Sequence, residues 1–128
     1  MQLSDHQAAF TSDIARLIRL VPLIKPGHRV RLLEVQRTIE RQIRLIGAGS
    51  SWVDDAATAP HVEKRAADLA LDRRAGSGWT WLADTADYKD LGVQWERFST
   101  HNRWGGRYGD GNHFERLKSP RVEDPLNA

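Results

Sequence analysis

The amino-terminal part of the chain carries a single apolar stripe at helical spacing. Between positions 4 and 21, apolar residues recur every three or four positions, at Phe10, Ile14, Leu17, Ile18 and Val21. This spacing places their side chains on one side of an α-helix and predicts that this side packs in the core. Ser4 and Gln7 have the spacing of a capping box, and Pro22 is expected to end the helix.

Two further elements are predicted in the next part of the chain. The apolar run "VRLLEV" predicts a buried strand, although a run of this length is also compatible with a helix. The segment "TIERQIRLIGAG" predicts a second helix, which Thr38 caps and which Gly47 or Gly49 ends. Residues 50 to 60, "SSWVDDAATAP", are predicted to form a loop.

The segment "RAADLAL" has the two-residue alternation of a β-strand. Ala66, Asp68 and Ala70 lie on one face of this strand, and "RRAGSG" after it predicts a turn. Burial of an aspartate between two alanines is costly unless the carboxylate is paired or binds a metal ion. The alternative is an edge strand that exposes this face to water.

The second half of the chain predicts one more helix and two short strands. A helix is expected from Asp84 or Thr85, because apolar residues follow at spacings of three and four, at Tyr88, Leu91, Trp95 and Phe98. "RWGG" and "NHFERL" are predicted to be short strands around a glycine turn. Residues 1 to 118 are expected to form one domain, and residues 119 to 128 a flexible tail.

Length and composition limit the class of protein. A chain of 128 residues with 40% apolar residues can bury one core. The absence of cysteine excludes disulfide bonds and thiolate zinc sites, so a metal ion would need His, Asp or Glu as ligands. The first positions are interrupted by charges, and no run approaches the roughly 20 apolar residues of a membrane span. We expect a protein made in the cytoplasm without a signal peptide or stable membrane insertion.

The charge balance bears on the partner. The 19 basic and 17 acidic residues give a net charge of +2. A mild positive charge suits an anionic polymer as a partner, although an ordinary solvated surface also explains it. Nucleic-acid binding is not expected, because the arginines are dispersed among acids and no nucleic-acid-binding motif is present.

Two of the five histidines are candidate metal ligands. His6 and His28 lie at a predicted helix start and in a turn, where a surface role is expected, and His101 lies in a polar loop with no carboxylate at ligand spacing. His61 precedes Asp68 by seven residues. Because a continuous strand would separate these two by roughly 23 Å, a shared ion requires His61 to lie on a loop that folds back over the strand.

The segment "RWGGRYGDGNHFE" contains the other candidate, His113. Asp110 precedes it by three residues and is flanked by Gly109 and Gly111. The glycines disfavour a helix, so the prediction is a tight turn that directs the acid and the imidazole into one space. The alternative is that "GDGN" is an ordinary turn sequence.

Taken together, these residues form a known pattern. A His followed after six residues by Asp and, much later, by Asp, two residues and His-Phe resembles the zinc peptidases that include D-Ala-D-Ala carboxypeptidases, the D-Ala-D-Ala dipeptidases of vancomycin resistance and L-alanyl-D-glutamate endopeptidases. The chain is most similar to the short, single-domain phage members. The resemblance extends through "EVQRTIERQ", "HVEKRAADL" and "LADTADYKDLGVQW" to "RWGGRYGDGNHFE". It implies an α+β fold, with helices packed on a small antiparallel sheet that carries a zinc cleft, as in hedgehog-like and DD-peptidase domains.

The resemblance also implies roles for individual residues. His61, Asp68 and His113 would be the zinc ligands, with a fourth coordination position left open as in catalytic zinc sites. Asp110 would be the general base that takes a proton from the attacking water and returns it to the leaving amine. Arg37 would bind a carboxylate or carbonyl oxygen of the substrate, the alternative being an exposed arginine at a helix start.

Four more positions follow from the comparison with the family pattern. Glu115 is expected to orient a ligand imidazole, and Trp104 either supports the site or is an ordinary core residue. Ala59 stands where the family has serine, and Lys64 stands where it has glycine. These departures put a hydrogen bond and the turn geometry near the first ligand in doubt.

The function that the resemblance implies is hydrolysis of a peptide bond in the stem peptides of bacterial peptidoglycan. The expected protein is a monomeric phage endolysin that reaches the cell wall after the membrane is permeabilised. A carboxypeptidase or dipeptidase of the same family is an alternative. So is a non-catalytic module that binds the wall or belongs to the virion. The sequence does not indicate which stem-peptide bond is cut or which host is the target.

Overall fold

The computed structural model describes residues 1–49 and 58–127. Most of the loop predicted for residues 50 to 60 therefore lies outside the described residues. Within the described part, three α-helices and five β-strands follow one another as α1, β1, α2, β2, β3, α3, β4 and β5. The expected α+β class, with helices packed on a small antiparallel sheet, is confirmed.

Helix α1 spans Leu3–Ile24 and buries the predicted stripe. Phe10, Leu17 and Val21 are buried in the core, and Ile14 and Ile18 pack against it. The predicted ends were wrong by a few residues. The capping box is formed by Gln2 and Asp5, and the helix continues through Pro22. A proline so close to a helix end removes few hydrogen bonds, and the helix closes with the Lys25 N–H donating to the Val21 carbonyl.

Helices α2 and α3 also begin close to the predicted positions. Helix α2 spans Ile39–Gly47, and the Thr38 side chain accepts a hydrogen bond from the Arg41 N–H, as predicted for the cap. A short 3-10 turn, Thr85–Tyr88, leads into helix α3, Lys89–Phe98. The structure explains the glycine at position 92 of α3, because a side chain there would collide with the Trp104 ring.

The five strands form one antiparallel sheet with β2 at its centre. Strand β1 spans His28–Glu34, β2 Ala66–Ala75, β3 Gly78–Leu82, β4 Asn102–Trp104 and β5 His113–Arg116. On one side β2 pairs with β1; on the other it pairs with β5 along its first residues and with β3 along its last. Strand β3 was not predicted. Because β2 continues to Ala75 and β3 begins at Gly78, the turn is shorter than the predicted "RRAGSG" and centres on Gly76, which has a φ of +60°.

The two faces of the sheet have different environments. One face carries Ala67, Leu69, Leu71 and Phe114, which pack against α1 and α3 around Trp95. The opposite face carries Asp68, which lies between Glu34 of β1 and His113 of β5. The edge-strand alternative for Asp68 is therefore wrong, because β2 is paired on both sides at this point. An aspartate at the centre of a sheet needs polar partners nearby.

The carboxy-terminal segment contacts α3 and the β4 region. The Arg121 N–H donates to the Thr100 carbonyl, and Arg107 donates to the Asp124 carbonyl. Leu126 packs against the core cluster. The flexibility expected for residues 119 to 128 stays a prediction. No helix among the described residues combines the length and hydrophobicity that a membrane-spanning segment requires.

Candidate metal centre

The structure brings three of the predicted site residues together at the middle of the sheet. His61 lies on the turn before β2, Asp68 on β2 and His113 at the start of β5. One possible ligand atom from each lies within 4.8 Å of the others. The two imidazole rings are 5.0 Å apart, centroid to centroid, and steeply inclined. The turn folds His61 back over the strand, which is the geometry that a shared ion requires.

The turn that carries His61 is held by backbone hydrogen bonds. The Arg65 N–H donates to the Pro60 carbonyl at 2.7 Å, and the Arg37 N–H donates to the His61 carbonyl at 3.2 Å. On the ring itself, Nε2 is 3.2 Å from Asp68 Oδ1, and Nδ1 is 3.0 Å from the Val35 carbonyl. Because a carbonyl only accepts, Nδ1 must donate, and the Nε2 atom is left facing Asp68.

His113 is held in the same manner but through its other nitrogen. Its Nδ1 lies 3.1 Å from Asp68 Oδ1, and its Nε2 lies 2.6 Å from Glu115 Oε1. The Glu115 carboxylate also accepts from the Tyr108 hydroxyl at 2.9 Å and pairs with Arg103 at 2.6 Å. Glu115 therefore contacts the imidazole of His113, and three neighbours fix the orientation of this carboxylate.

The pKa values reflect this chain of contacts. Burial would raise the pKa of Asp68, but hydrogen bonds from His113 and His61 outweigh it and hold the pKa well below its usual range. Burial also opposes ionisation of Glu115, yet His113 and Arg103 lower its pKa to about 2. For His113, burial favours the neutral ring, but Asp68 and Glu115 raise its pKa to about 9. Both carboxylates are thus ionised at neutral pH.

This donor set fits a divalent metal ion. Each imidazole donates its outer N–H to an acceptor, the arrangement typical of metal-ligating histidines. The inner nitrogens, His61 Nε2 and His113 Nδ1, both face the same Asp68 oxygen. Two nitrogen lone pairs directed at a carboxylate repel it unless a cation lies among them, either a proton or a metal ion. Two imidazoles and one carboxylate are a known ligand set for catalytic zinc.

Asp110 lies at the end of the glycine turn, as predicted. A 3-10 turn, Gly105–Tyr108, is followed by Gly109 with a φ of +87°, and the Asp110 N–H donates to the Gly105 carbonyl at 2.9 Å. The His113 N–H donates to the Asp110 carbonyl at 3.2 Å. Burial raises the pKa of Asp110, and the charges of Asp68 and Glu115 add to this rise against the opposing effect of His113.

The glycines of this turn leave space for the site. A Cβ added at Gly105 would lie 2.7 Å from the Cβ of His113, and one added at Gly111 would lie 2.6 Å from the Cα of Thr85. Neither position accepts a side chain without a shift of its neighbours. Glycine at position 105 therefore allows the turn to approach the backbone of Asp110 and His113, and glycine at position 111 allows it to pack against Thr85.

Arg37 lies beside the centre. Its Nε is 2.6 Å from Glu34 Oε1, its Nη1 donates to Gln42 Oε1 at 2.6 Å, and its Nη2 is 4.0 Å from Asp68 Oδ2. The side chain is 12% exposed, so the alternative of an exposed helix-start arginine is wrong. Binding of a substrate oxygen by Arg37 stays a prediction.

Trp104 is a core residue that also supports the turn. It is 4% exposed, and its indole N–H donates to the Gly111 carbonyl at 2.7 Å. The backbone N–H of Trp104 donates to Glu96, which in turn pairs with Arg107 of the 3-10 turn. Trp104 is thus a core residue, and the same side chain also anchors one end of the segment that carries Asp110.

The two departures from the family pattern lie on the turn of His61. Lys64 has a φ of +56°, a left-handed conformation that favours glycine and is costly for a residue with a side chain. Ala59 is buried, and its carbonyl accepts a hydrogen bond from the Glu63 N–H. Lys64 therefore adopts a backbone conformation that glycine would adopt without steric cost.

Sequence reasoning missed several partners of the centre. Arg103 and Tyr108 hold Glu115, and Glu34 and Gln42 hold Arg37. Arg103 lies directly opposite Glu115 across β4 and β5. That pairing depends on strand register, which the spacing of the two residues in the chain does not reveal. Glu34 and Gln42 lie three residues before and five after Arg37, a separation that could have drawn attention to them.

A solved structure of a peptidase is similar to the structure of this chain. The crystal structure of the L-Ala D-Glu endopeptidase ChiX from Serratia marcescens is similar to this structure, with a TM-score of 0.59 and 22% sequence identity. The likeness covers 89% of this chain and 85% of that one. No protein-family model matches the chain, and no curated protein sequence matches it. At this identity the likeness shows a shared fold.

Proposed function

We propose that this protein is a zinc-dependent peptidase that cleaves an L-Ala–D-Glu or related bond in the stem peptides of bacterial peptidoglycan. The main support is the group formed by His61, Asp68 and His113, in which both imidazoles direct their inner nitrogens at one carboxylate oxygen. The fold shared with an L-Ala D-Glu endopeptidase supports the substrate class. The sequence pattern described above supports the same family.

In the proposed reaction, residues of this chain have separate roles in proton transfer and substrate binding. When bound, zinc would polarise the scissile carbonyl and make water more acidic. Asp110 takes a proton from the attacking water and returns it to the leaving amine. Its raised pKa suits that exchange because it lies nearer to neutral pH than that of an ordinary aspartate. Arg37, held by Glu34 and Gln42, presents a guanidinium to a carbonyl or carboxylate oxygen of the substrate.

Outside the centre, the Val35 carbonyl and the Glu115 carboxylate fix the two imidazoles. These contacts keep the proton of each ring on its outer nitrogen and leave the inner nitrogen available as a ligand. They also hold the rings in place before substrate arrives, so the site requires little rearrangement during the reaction.

We further propose that the protein acts as a monomeric phage endolysin that reaches peptidoglycan once the membrane has been permeabilised. The similarity of the sequence pattern to short phage members of the zinc peptidase family supports this role. The net charge of +2 favours retention on an anionic wall polymer.

A combined metal and activity measurement tests the proposal. His113→Ala is expected to lose bound zinc and activity on purified peptidoglycan, because it removes a ligand. Asp110→Asn is expected to keep zinc but to lose at least about 100-fold in turnover, because it removes the base. Zinc content is measured by atomic absorption and hydrolysis by the release of new amino termini.

Two outcomes would contradict the proposal. Wild-type protein that binds zinc and the wall without any hydrolysis would indicate a non-catalytic wall-binding or virion module. Mass spectrometry that finds the loss of single D-Ala residues from stem peptides would indicate a carboxypeptidase, and hydrolysis of free D-Ala-D-Ala with no cleavage of stem peptides would indicate a dipeptidase. A protein with the proposed activity instead separates L-Ala from D-Glu and leaves the peptide end intact.

A further inference from the structure

The sheet face that carries the metal centre extends well beyond it. Strand alternation places Asp68, Ala70, Asp72 and Arg74 of β2 on this face. Strand register then adds neighbouring side chains to the same face, namely Arg29 and Arg31 of β1 and Trp79 and Trp81 of β3. We call the five side chains Arg29, Arg31, Arg74, Trp79 and Trp81 the tryptophan–arginine face.

This face lies at a definite distance from the metal centre. His113 is opposite Asp68, and Trp81 is opposite Asp72 on the same side of β2. Four residues of strand separate the two pairs, which corresponds to roughly 13 Å. A substrate that binds at the centre and extends along β2 therefore reaches the tryptophan–arginine face after a short distance.

The exposure of these side chains is unusual for their type. Trp81 is 57% exposed and Trp79 is 37% exposed. The Arg29 guanidinium of β1 lies 4.4 Å above the Trp79 ring and that of Arg74 on β2 lies 5.1 Å from it, so cation–π contacts between strands account for part of the exposure of Trp79. More than half of Trp81 nevertheless remains exposed to water. A large exposed aromatic surface commonly marks a binding site.

The charge of the face is positive and its acid is buried. Asp72 pairs with Arg29 at 2.9 Å and with Arg31 at 2.8 Å, and its side chain is 3% exposed. The side chains of Arg29 and Arg31 remain about half exposed, at 47% and 48%. Asp72 thus orients these guanidinium groups from below without cancelling the positive charge that faces solvent.

We propose that the tryptophan–arginine face binds the glycan strand of peptidoglycan next to the stem peptide that is cut. Sugar rings present C–H groups that stack on indole, and their hydroxyl and acetamido oxygens accept hydrogen bonds from guanidinium groups. The carboxylates of neighbouring stem peptides complement the surplus positive charge. This inference rests on the proposed function, because it assigns the glycan to the same substrate.

The distance supports one bond in particular. The L-Ala–D-Glu bond is separated from its sugar by a lactyl group and one residue, a span of roughly 7–10 Å when extended. The terminal D-Ala bond lies three residues further, at roughly 17–20 Å. The nearest tryptophan of the face lies roughly 13 Å from the centre. When the width of the sugar ring is added to the length of the linker, this distance suits the bond closer to the glycan.

The test compares substrates that differ only in the glycan. One is a disaccharide carrying the stem peptide, and the other is the same stem peptide without sugar. In Trp81→Ala, the ratio of kcat/KM on the first to kcat/KM on the second is expected to fall about tenfold, and Trp81→Phe restores much of it because stacking is kept. Leu23→Ala, at an exposed position on α1, is the matched control whose ratio stays at the wild-type value.

A binding measurement keeps this inference separate from the proposed function. Peptide-free glycan strands are expected to bind the wild-type protein and to bind Trp81→Ala about tenfold more weakly, whether or not any hydrolysis occurs. An unchanged ratio in Trp81→Ala, or no binding of glycan strands by wild type, would overturn the inference. Binding of the face to vesicles with anionic lipids or to single-stranded DNA in place of glycan would do the same. Wild-type protein that cleaves neither substrate but binds glycan through Trp81 would instead count against the peptidase alone.

Discussion

The contact between Glu115 and His113 allows a quantitative prediction about metal affinity. Glu115 Oε1 is 2.6 Å from His113 Nε2, and the carboxylate is only 3% exposed, so water screens this charged contact weakly. Glu115→Gln keeps the shape and an acceptor for the imidazole but removes the negative charge that makes the inner nitrogen a stronger ligand. Loss of such a partner costs roughly 10- to 100-fold in metal affinity, or about 1.4–2.7 kcal/mol.

A second effect acts in the same direction. If the glutamine oxygen continues to accept from His113, its amide group faces Arg103, which now lies at 2.6 Å from the other carboxylate oxygen. Two donors would then meet, so Arg103 must move toward Glu123, its second partner at 3.3 Å. The shift loosens the support of the imidazole and adds to the loss of affinity.

The assay is a competition titration of zinc between the protein and a chromogenic chelator at fixed pH, with thermal unfolding to confirm that the variant folds. Glu123→Gln is the matched control, because it also removes a partner of Arg103 but does not touch His113. Its zinc affinity is expected to stay within about twofold of wild type. Equal affinities for Glu115→Gln and wild type would refute the role assigned to this carboxylate, as would an equal loss in both variants.

Two further predictions concern stability. Lys64→Gly is expected to raise the free energy of unfolding by about 0.5–1 kcal/mol in urea titrations, because it relieves the left-handed backbone at φ +56° and this gain exceeds the entropy cost of glycine; a loss of stability would show that the lysine side chain contributes more than the strain. The surface role expected for His6 was wrong, because its side chain is buried beside Arg116. This burial, with the charge of Arg116, lowers the pKa of His6 from its ordinary 6.5. The unfolded chain therefore binds more protons below that pH, and the free energy of unfolding should decrease as pH falls from 6.5. In His6→Gln this decrease should be shallower across the same range, and an unchanged slope would mean that His101 or another group accounts for it.

Periodicity predicted the elements that bury a continuous apolar stripe, and the core explains why. Helix α1 and the "RAADLAL" strand each have many residues whose burial agrees with the local pattern, so the signal is strong. Strand β3 was missed because it lies at the rim of the sheet, where Trp79 and Trp81 face outward and alternation no longer marks a buried face. Helix ends were also shifted, since capping by Gln2 and Asp5 depends on local geometry that several nearby residues could supply.

By itself, the sequence determined which residue types can bind a metal and favoured a tight turn between Asp110 and His113. Its lack of cysteine restricted the candidate ligands to His, Asp and Glu, and the glycines around Asp110 required a tight turn. The tertiary structure decided what holds those ligands. The carbonyl of Val35, the carboxylate of Glu115 and the guanidinium of Arg103 reach the centre through strand register and loop folding. Contacts between residues far apart in the chain depend on how strands pair, and no local pattern records that pairing.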